Sequence, residues 1–571
     1  MLHRSAIAPV GRPFLLDEAQ LDRALAVDAA DAAMSRLWSR LESGAPIRIG
    51  ILGSSVGMSG GCQIEHQPHL RCAQFDGLHV QKRFARGYGV MDAEMRGLLH
   101  NADRPVRGFV MQVLDAINAT WPHRDHRIVN AAVDAWTAKA IEPCLLSNEL
   151  LINSDLLLLE LGSQSWHASQ AVASERIIRK LLARVGLPPA VVMVTTRQWC
   201  GRSVHGLRRR ERPVLLRTWE GIEDIFARFC SAYSLACLSL RDAIFHDVVG
   251  NRPNFSIADV AADCLHPEQS RFGYHYMADM IIHFLRHSWQ RYSARVSNSG
   301  PDVATRRPLP AALLQGNRGR AGRMVWRCYE LPATPVHGRL HGERDALHPV
   351  DTGADMALRA RRALRGHVEV RWRAESGDVQ PLSDSSTCDA LRRCVLRAAR
   401  TGDGACLRGR GHWQHCSRAL APRAVNKPGI VSVLPGAAMR MLVDTTAPVA
   451  QAGRNASALP HAALALTYLA SYERMGVAKV SCIKGCTCET RIIDALQLAQ
   501  PASSTAAATR DNALSRNVSV ASVVEIPVSG SRNCIVRVVN TPRRQGIGRD
   551  QTPAVAKWKL LGVRVGWESS V

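Results

Sequence analysis

The chain has 571 residues, too many for one ordinary domain, and its 46% apolar residues suffice for real hydrophobic cores. A formal net charge of +24 points first to nucleic acid, yet only eight of the 73 basic residues are lysine and none lies between Lys180 and Lys427. An arginine bias of that kind, spread along the chain without interleaved aromatics, reflects coding composition rather than a phosphate-binding face, so no nucleic-acid partner is expected.

No apolar run reaches the roughly 18–20 residues that span a bilayer, so no membrane span is expected either. The N-terminus, MLHRSAIAPVGRPFLLDEAQ, starts basic but lacks a sustained apolar stretch, and no secretory signal is read there. Sixteen cysteines and glycosylation sequons at Asn118, Asn254, Asn455 and Asn517 pull the other way, toward an oxidising compartment. The location stays open on sequence grounds.

In chain order, Leu21, Leu25, Ala29, Ala33 and Leu37 recur at helical spacing and predict one helix over Leu16 to Glu42, a lead-in occupying residues 1–44. Residues 45–295 alternate strand-like and helix-like stretches. Short apolar runs at Ile47 to Leu52, His126 to Asn130, Ser154 to Leu161, Pro189 to Thr196 and Ser234 to Leu240 read as strands. Helical periodicity marks Ser174 to Leu182, Gly221 to Ser231 and a closing helix over Gly273 to Arg286. Such alternation predicts an α/β unit with a parallel sheet covered on both faces.

Residues 296–424 change character: Arg, Pro and Gly dominate, and a partly disordered linker or insert is expected. Met356 to Arg365 reads as an isolated basic helix, and the Cys406, His412, His415, Cys416 group fits no standard zinc spacing. Residues 425–571 are β-rich. Ala462 to Leu469, Val477 to Cys482, Val518 to Val528 and Cys534 to Val539, separated by Gly, Asn and Pro signals, predict a sandwich-like domain.

Two segments carry chemistry. The first predicted strand runs directly into Gly53-Ser-Ser-Val-Gly57, which puts Ser55 on a sharp turn at the C-terminal edge of the sheet, beside helix-terminal N–H groups able to receive negative charge. Alone, that turn equally fits a phosphate cradle or a plain bend, although no Gly-Lys-Ser/Thr follows it. A serine hydroxyl attacks only when a base takes its proton. Asp263-Cys-Leu-His266-Pro267, just before the closing helix, places a carboxylate and a histidine three residues apart on one loop, where a single turn can aim one at the other; alone, the segment fits a plain surface loop better. His167, His205, His246 and His275 are expected to pack or face solvent, and Cys264 to be a small buried side chain.

In chain order the two motifs resemble the SGNH/GDSL serine hydrolase superfamily, with Gly53-Ser-Ser-Val56 where that family carries its GDSL block. The resemblance covers roughly residues 45–287. It implies a flavodoxin-like three-layer α/β/α fold, hydrolysis or transfer of an ester-linked acyl group, and no metal or organic cofactor. It implies Ser55 as nucleophile, His266 as general base and Asp263 as its orienting carboxylate. The family's two further oxyanion donors fall on Ala135, where the pattern has glycine, and on Gln164, where it has asparagine. Alanine keeps the N–H but adds a Cβ that crowds the site or resists a left-handed backbone, and the extra methylene of glutamine shifts its amide, so a catalytically degenerate SGNH-fold binding or surface protein stands as the alternative. The expected substrate is an ester or acylated carbohydrate, acetyl groups included. Oligomeric state is not readable.

In the C-terminal stretch, Cys482, Cys486, Cys488 and Cys534 suit two disulfides; zinc is the rival, but C-x3-C-x-C lacks paired-knuckle spacing. Tyr468-Leu-Ala-Ser-Tyr-Glu-Arg-Met-Gly476, that cysteine pattern, Ser174 to Leu182 and Lys427-Pro-Gly429 together are similar to plant-lineage, chiefly green-algal, proteins in which a β-rich region follows the hydrolase domain.

Overall fold

The computed structural model describes residues 7–60 and 108–318, apart from 29–31, 134–135, 148, 162–167, 185–187, 201–214, 216, 218, 220, 262–264, 268–271 and 300–307. Beyond these it describes 324–329, 371–374 and 414–415, and within 430–568 all but 433–435, 447–461, 472–474, 497–518 and 542–556. The expected helix at Met356 to Arg365 lies outside the described residues. The chain folds into two compact units.

The first unit is built on strands that are apolar along their whole length. β1 (Leu25–Val27), β2 (Arg48–Gly53), β3 (Arg127–Asn130), β4 (Leu156–Glu160), β5 (Ala190–Thr195) and β6 (Ala236–Ser239) form one sheet in the order β1-β6-β5-β4-β2-β3. Every residue of β4, β5 and β6 is buried, as a parallel sheet covered on both faces requires. β3, β2, β4, β5 and β6 run parallel, with the first of them in the chain, β2, lying between β3 and β4. This is the flavodoxin-like strand order, and the reversal of order beside β2 is where such sheets open a crevice at their C-terminal edge.

Helices α1 (Glu18–Ala24), α2 (Ala32–Glu42), α3 (Ser55–Gly60), α4 (Phe109–Thr120), α5 (Ala168–Ala183), α6 (Ile222–Tyr233), α7 (Leu240–Val249) and α8 (Gly273–Ser299) accompany the sheet. Their inward faces bring Trp38, Phe109, Phe226, Tyr274 and Phe284, each no more than 1% exposed, into the core. α8 runs well past the expected end at Arg286.

The single helix predicted over Leu16 to Glu42 is two helices with a strand between them. β1 pairs antiparallel with β6, Leu25 opposite Leu238 and Val27 opposite Cys237. The open backbone edge of β6 offers hydrogen bonds that outweigh the helical periodicity of Leu25. The lead-in is therefore part of the α/β unit. So are residues 308–317, inside the stretch expected to be linker. Glu175 on α5, 0% exposed, accepts from Tyr233 Oη at 2.6 Å, Leu314 N at 3.1 Å and Asn317 Nδ2 at 2.6 Å, and also from Leu313 N.

The second unit consists of two antiparallel sheets around one apolar core. One carries β15 (Val520–Val528), β12 (Ala462–Ala470), β17 (Trp558–Glu568), β10 (Ile430–Ser432) and β9 (Gln414–His415), with β7 (Met324–Tyr329) also paired to β17. The other runs β14 (Arg491–Asp494), β13 (Val477–Lys484), β16 (Cys534–Thr541), β11 (Ala438–Val443) and β8 (Arg371–Ala374). β16 alternates buried and half-exposed residues along its length, the signature of a sheet with one face on the core. Met439, Met441, Leu464, Val536, Val538, Trp558 and Trp567 fill that core. β7, β8 and β9 arise inside residues 296–424, so the expected linker contributes strands to both sheets.

Cys482 pairs with Cys488 and Cys486 with Cys534, with Cα separations of 5.6 and 4.9 Å, as disulfide geometry demands. A third bridge, Cys144–Cys328, was not foreseen. It ties the turn Glu142–Ser147 to β7, and residues 139–147, although they lie between β3 and β4 in sequence, belong to this second unit.

Candidate active site

β2 delivers the chain to the C-terminal edge of the sheet, where Gly53-Ser54 turns into α3 and Ser55 becomes its first residue. Gly53 lies opposite Glu160 in the β2–β4 register, and a Cβ at position 53 would collide with the backbone oxygen, the Cβ and the carboxylate of Glu160. Only glycine lets the two strands close there. On the other side, Val133 N, three residues past the end of β3, donates to Gly53 O at 3.1 Å, so the turn is held from both sides.

Ser55 is 1% exposed, and its Oγ lies 2.7 Å from Nε2 of His266. Of the residues singled out from the sequence, these two are brought together across 211 positions. The loop that carries His266 is pinned at both ends. Ala261 bridges to Pro267, and Phe272 N donates to Asp259 O at 3.3 Å, while Asp259 closes a capping box with Ser256. Below the loop, the Tyr276 ring stacks on Phe255 and Phe272, and its hydroxyl donates to Asn254 O at 2.8 Å. Asp263, Ala135, Gln164, Cys264, His167 and His205 lie outside the described residues.

The 2.7 Å contact has a defined chemical content. For the Ser55 hydroxyl to donate, Nε2 must hold the lone pair and Nδ1 the proton, the tautomer in which imidazole acts as a base toward serine. An alcohol so placed is ready for attack on an electrophilic carbon.

One residue at this edge went unassigned in the sequence reading. Glu160, the last residue of β4, is 0% exposed, and its Oε2 accepts from Ser54 N at 3.1 Å, Ser54 Oγ at 3.0 Å and Gly57 N at 3.2 Å. Its signal in the sequence was a lone carboxylate ending an otherwise wholly apolar strand, Leu156-Leu-Leu-Leu-Glu160. Buried acids are rare unless partnered, and here the partners include Ser54, just before Ser55, and Gly57, two residues after it.

Among the described residues, His246, His275, His283 and His287 have packing or hydrogen-bond partners of their own. His275 Nδ1 lies 2.8 Å from Gln112 Oε1, and burial together with the nearby Arg12 charge pushes its pKa down to about 4. The His246 ring stacks on Trp219. Asp22, His283 and His287 come together on α1 and α8. Arg286, which can only donate, faces His283 Nδ1 at 3.1 Å, so the imidazole proton sits on Nε2 and is given to Asp22 at 3.2 Å. Burial lowers the pKa of that ring, against the hydrogen bond to Asp22, which raises it. Among the described residues no helix is long and apolar enough to cross a membrane.

No protein-family model matches the chain, and no curated protein sequence matches it. Among solved structures it is similar to a two-domain esterase (CEX) active on acetylated mannans, with a TM-score of 0.50 and 12% identity over 96% of this chain and 99% of that one. A catalytic mutant of an acetylxylan esterase from Geobacillus stearothermophilus aligns over 43% of this chain and 95% of its own, with a TM-score of 0.28 and 12% identity. The first likeness shows the fold, an α/β unit followed by a β unit.

Proposed function

We propose that the chain is an SGNH-type serine esterase that hydrolyses or transfers small acyl groups, acetyl among them, on carbohydrate. The observation that carries this reading is the 2.7 Å contact between Ser55 Oγ and His266 Nε2 at the C-terminal edge of the sheet. The solved two-domain structure that shares the fold is described as active on acetylated mannans, and this supports acylated polysaccharide as the substrate class.

In the proposed reaction the Ser55 hydroxyl gives its proton to His266 Nε2 as its oxygen adds to the ester carbonyl carbon. Asp263 holds the imidazole and stabilises the imidazolium. The backbone N–H groups of Ser55 and Ala135, with the Gln164 amide, donate to the oxyanion. His266 then protonates the departing sugar oxygen, leaving an acyl group on Ser55. A water or sugar hydroxyl attacks that ester while His266 takes its proton, and return of the proton to Ser55 Oγ frees the enzyme.

A fluorophosphonate probe tests the reading directly, because it labels only an activated serine. The wild type should be labelled at Ser55 and should release acetate from acetylated mannan or xylan. Ser55→Ala should lose both, and His266→Ala should lower the rate by about 10³-fold or more. A wild type that neither labels nor deacetylates would leave the non-catalytic binding protein as the better account.

A further inference from the structure

We infer that Glu160 is the positioning residue of the nucleophile turn, an inference that rests on the esterase reading and deepens it. A helix leaves its first N–H groups without intrahelical partners, and a side chain at the N-cap ordinarily satisfies the one three residues on. Ser54 stands at that N-cap position before α3, and Gly57 is the third residue of the helix. Here the acceptor is Glu160 Oε2, reaching over from β4 to take both Gly57 N–H and Ser54 N–H. The Ser54 hydroxyl, which would otherwise cap the helix itself, is turned to the same oxygen.

One carboxylate oxygen therefore fastens the residue before Ser55 and the residue two after it. Ser55 lies between two fixed points, and the direction of its Cα–Cβ bond is set from the neighbouring strand rather than by its own short helix. The device is rigid because every part of it is buried: Ser54 is 2% exposed, Ser55 1% and Glu160 0%. Gly53 is its counterpart, the one residue that permits Glu160 so close to the turn. Glu160 touches neither the Ser55 hydroxyl nor His266 in any bond described above. It acts through Ser54 and Gly57.

Such a role predicts a loss in the chemical step rather than in substrate binding, since misplacement of a nucleophile by about 1 Å can cost on the order of 10²-fold. Glu160→Ala should lower kcat on acetylated oligosaccharide by about 10²-fold with KM within threefold of wild type. The second-order rate of fluorophosphonate labelling per labelled site should fall in parallel. Glu160→Gln keeps one acceptor oxygen on an equal side chain and should recover most of the lost labelling rate. A residue that merely stabilised the fold would lower the final labelled fraction and leave the rate per site unchanged. Ser54→Ala removes a single bond and serves if Glu160→Ala does not fold; its labelling rate should fall several-fold with KM kept. Variants that label at the wild-type rate per site overturn the inference while the esterase reading stands. A wild type that is itself unreactive overturns both.

Discussion

The meeting of Ser55 and His266 was legible because the two short motifs that carry them sit at opposite ends of an α/β pattern. Gly53 was legible only as part of a turn. Its structural reason, a clash with the neighbouring strand, needs the β2–β4 register and so the fold. At this scale the expected outcome for Gly53→Ala is severe. The obstacle includes the Glu160 backbone, which cannot give way without opening the strand pair, so a loss of about 2–3 kcal/mol is expected, with the labelling rate of Ser55 falling as well. Gly562→Ala is the control. Its nearest neighbour, Thr467 Cβ, would be 3.7 Å from the added methyl, an ordinary contact, and the change should be neutral within about 0.5 kcal/mol. Urea denaturation of the two variants beside wild type checks both. Glu160 escaped the sequence reading for the same reason as Gly53: its partners, Ser54 and Gly57, are more than 100 positions away.

At the scale of elements, the five parallel strands were readable within one to two residues at each end, because continuous apolar runs bounded by turns have few other interpretations. β1 was not, because Leu25 satisfies a helical period and only the waiting edge of β6 makes it a strand. The Ser174 to Leu182 run reads as a helix from its periodicity, and the structure adds what its polar residues hold. Glu175 on α5 gathers Tyr233, Leu313, Leu314 and Asn317, while Arg179 donates to Tyr233 Oη at 3.0 Å and to Pro310 O, and Arg176 to Asn317 Oδ1 at 2.7 Å. Burial pushes the Glu175 pKa up, but the four hydrogen bonds from Tyr233, Asn317, Leu313 and Leu314 outweigh it and hold the carboxyl below its ordinary value. A pKa lowered by folding contributes stability that is full above the unfolded value, about 4.3, and is lost as pH falls through the folded one. Glu175→Gln should therefore flatten the acid side of the stability–pH profile below about pH 5, measured as Tm across a buffer series. Glu175→Ala, which leaves buried donors without an acceptor, should cost about 3 kcal/mol and expose residues 308–317 to limited proteolysis.

For the whole molecule, sequence boundaries at 295 and 425 separate what the fold interleaves. Residues 139–147 sit between two strands of the α/β sheet in sequence yet belong to the β unit, where Arg564 of β17 donates to Ala140 O and Cys144 is bridged to Cys328. No local pattern announces a partnership 184 residues long, whereas the clustered Cys482, Cys486 and Cys488 announced themselves. Among the described residues, three bridges of the β unit differ in the loops they close, and chain entropy ranks them. Cys482–Cys488 spans 6 residues, Cys486–Cys534 spans 48 and Cys144–Cys328 spans 184. Restriction of the unfolded chain then contributes about 2, about 4 and about 5 kcal/mol respectively. Paired Cys→Ser variants of the purified protein should lose stability to urea in that order, and Ellman titration of the denatured protein should show two more thiols after each bridge is selectively reduced. Removal of the 6-residue bridge alone should leave the β unit folded, because β13 and β16 remain paired through Val477 to Cys482. If that small bridge proved the most damaging to lose, its role would be to shape the β13–β14 turn rather than to restrain the unfolded chain. Equal losses for all three would mean that native contacts, and not loop closure, set the stability of this unit.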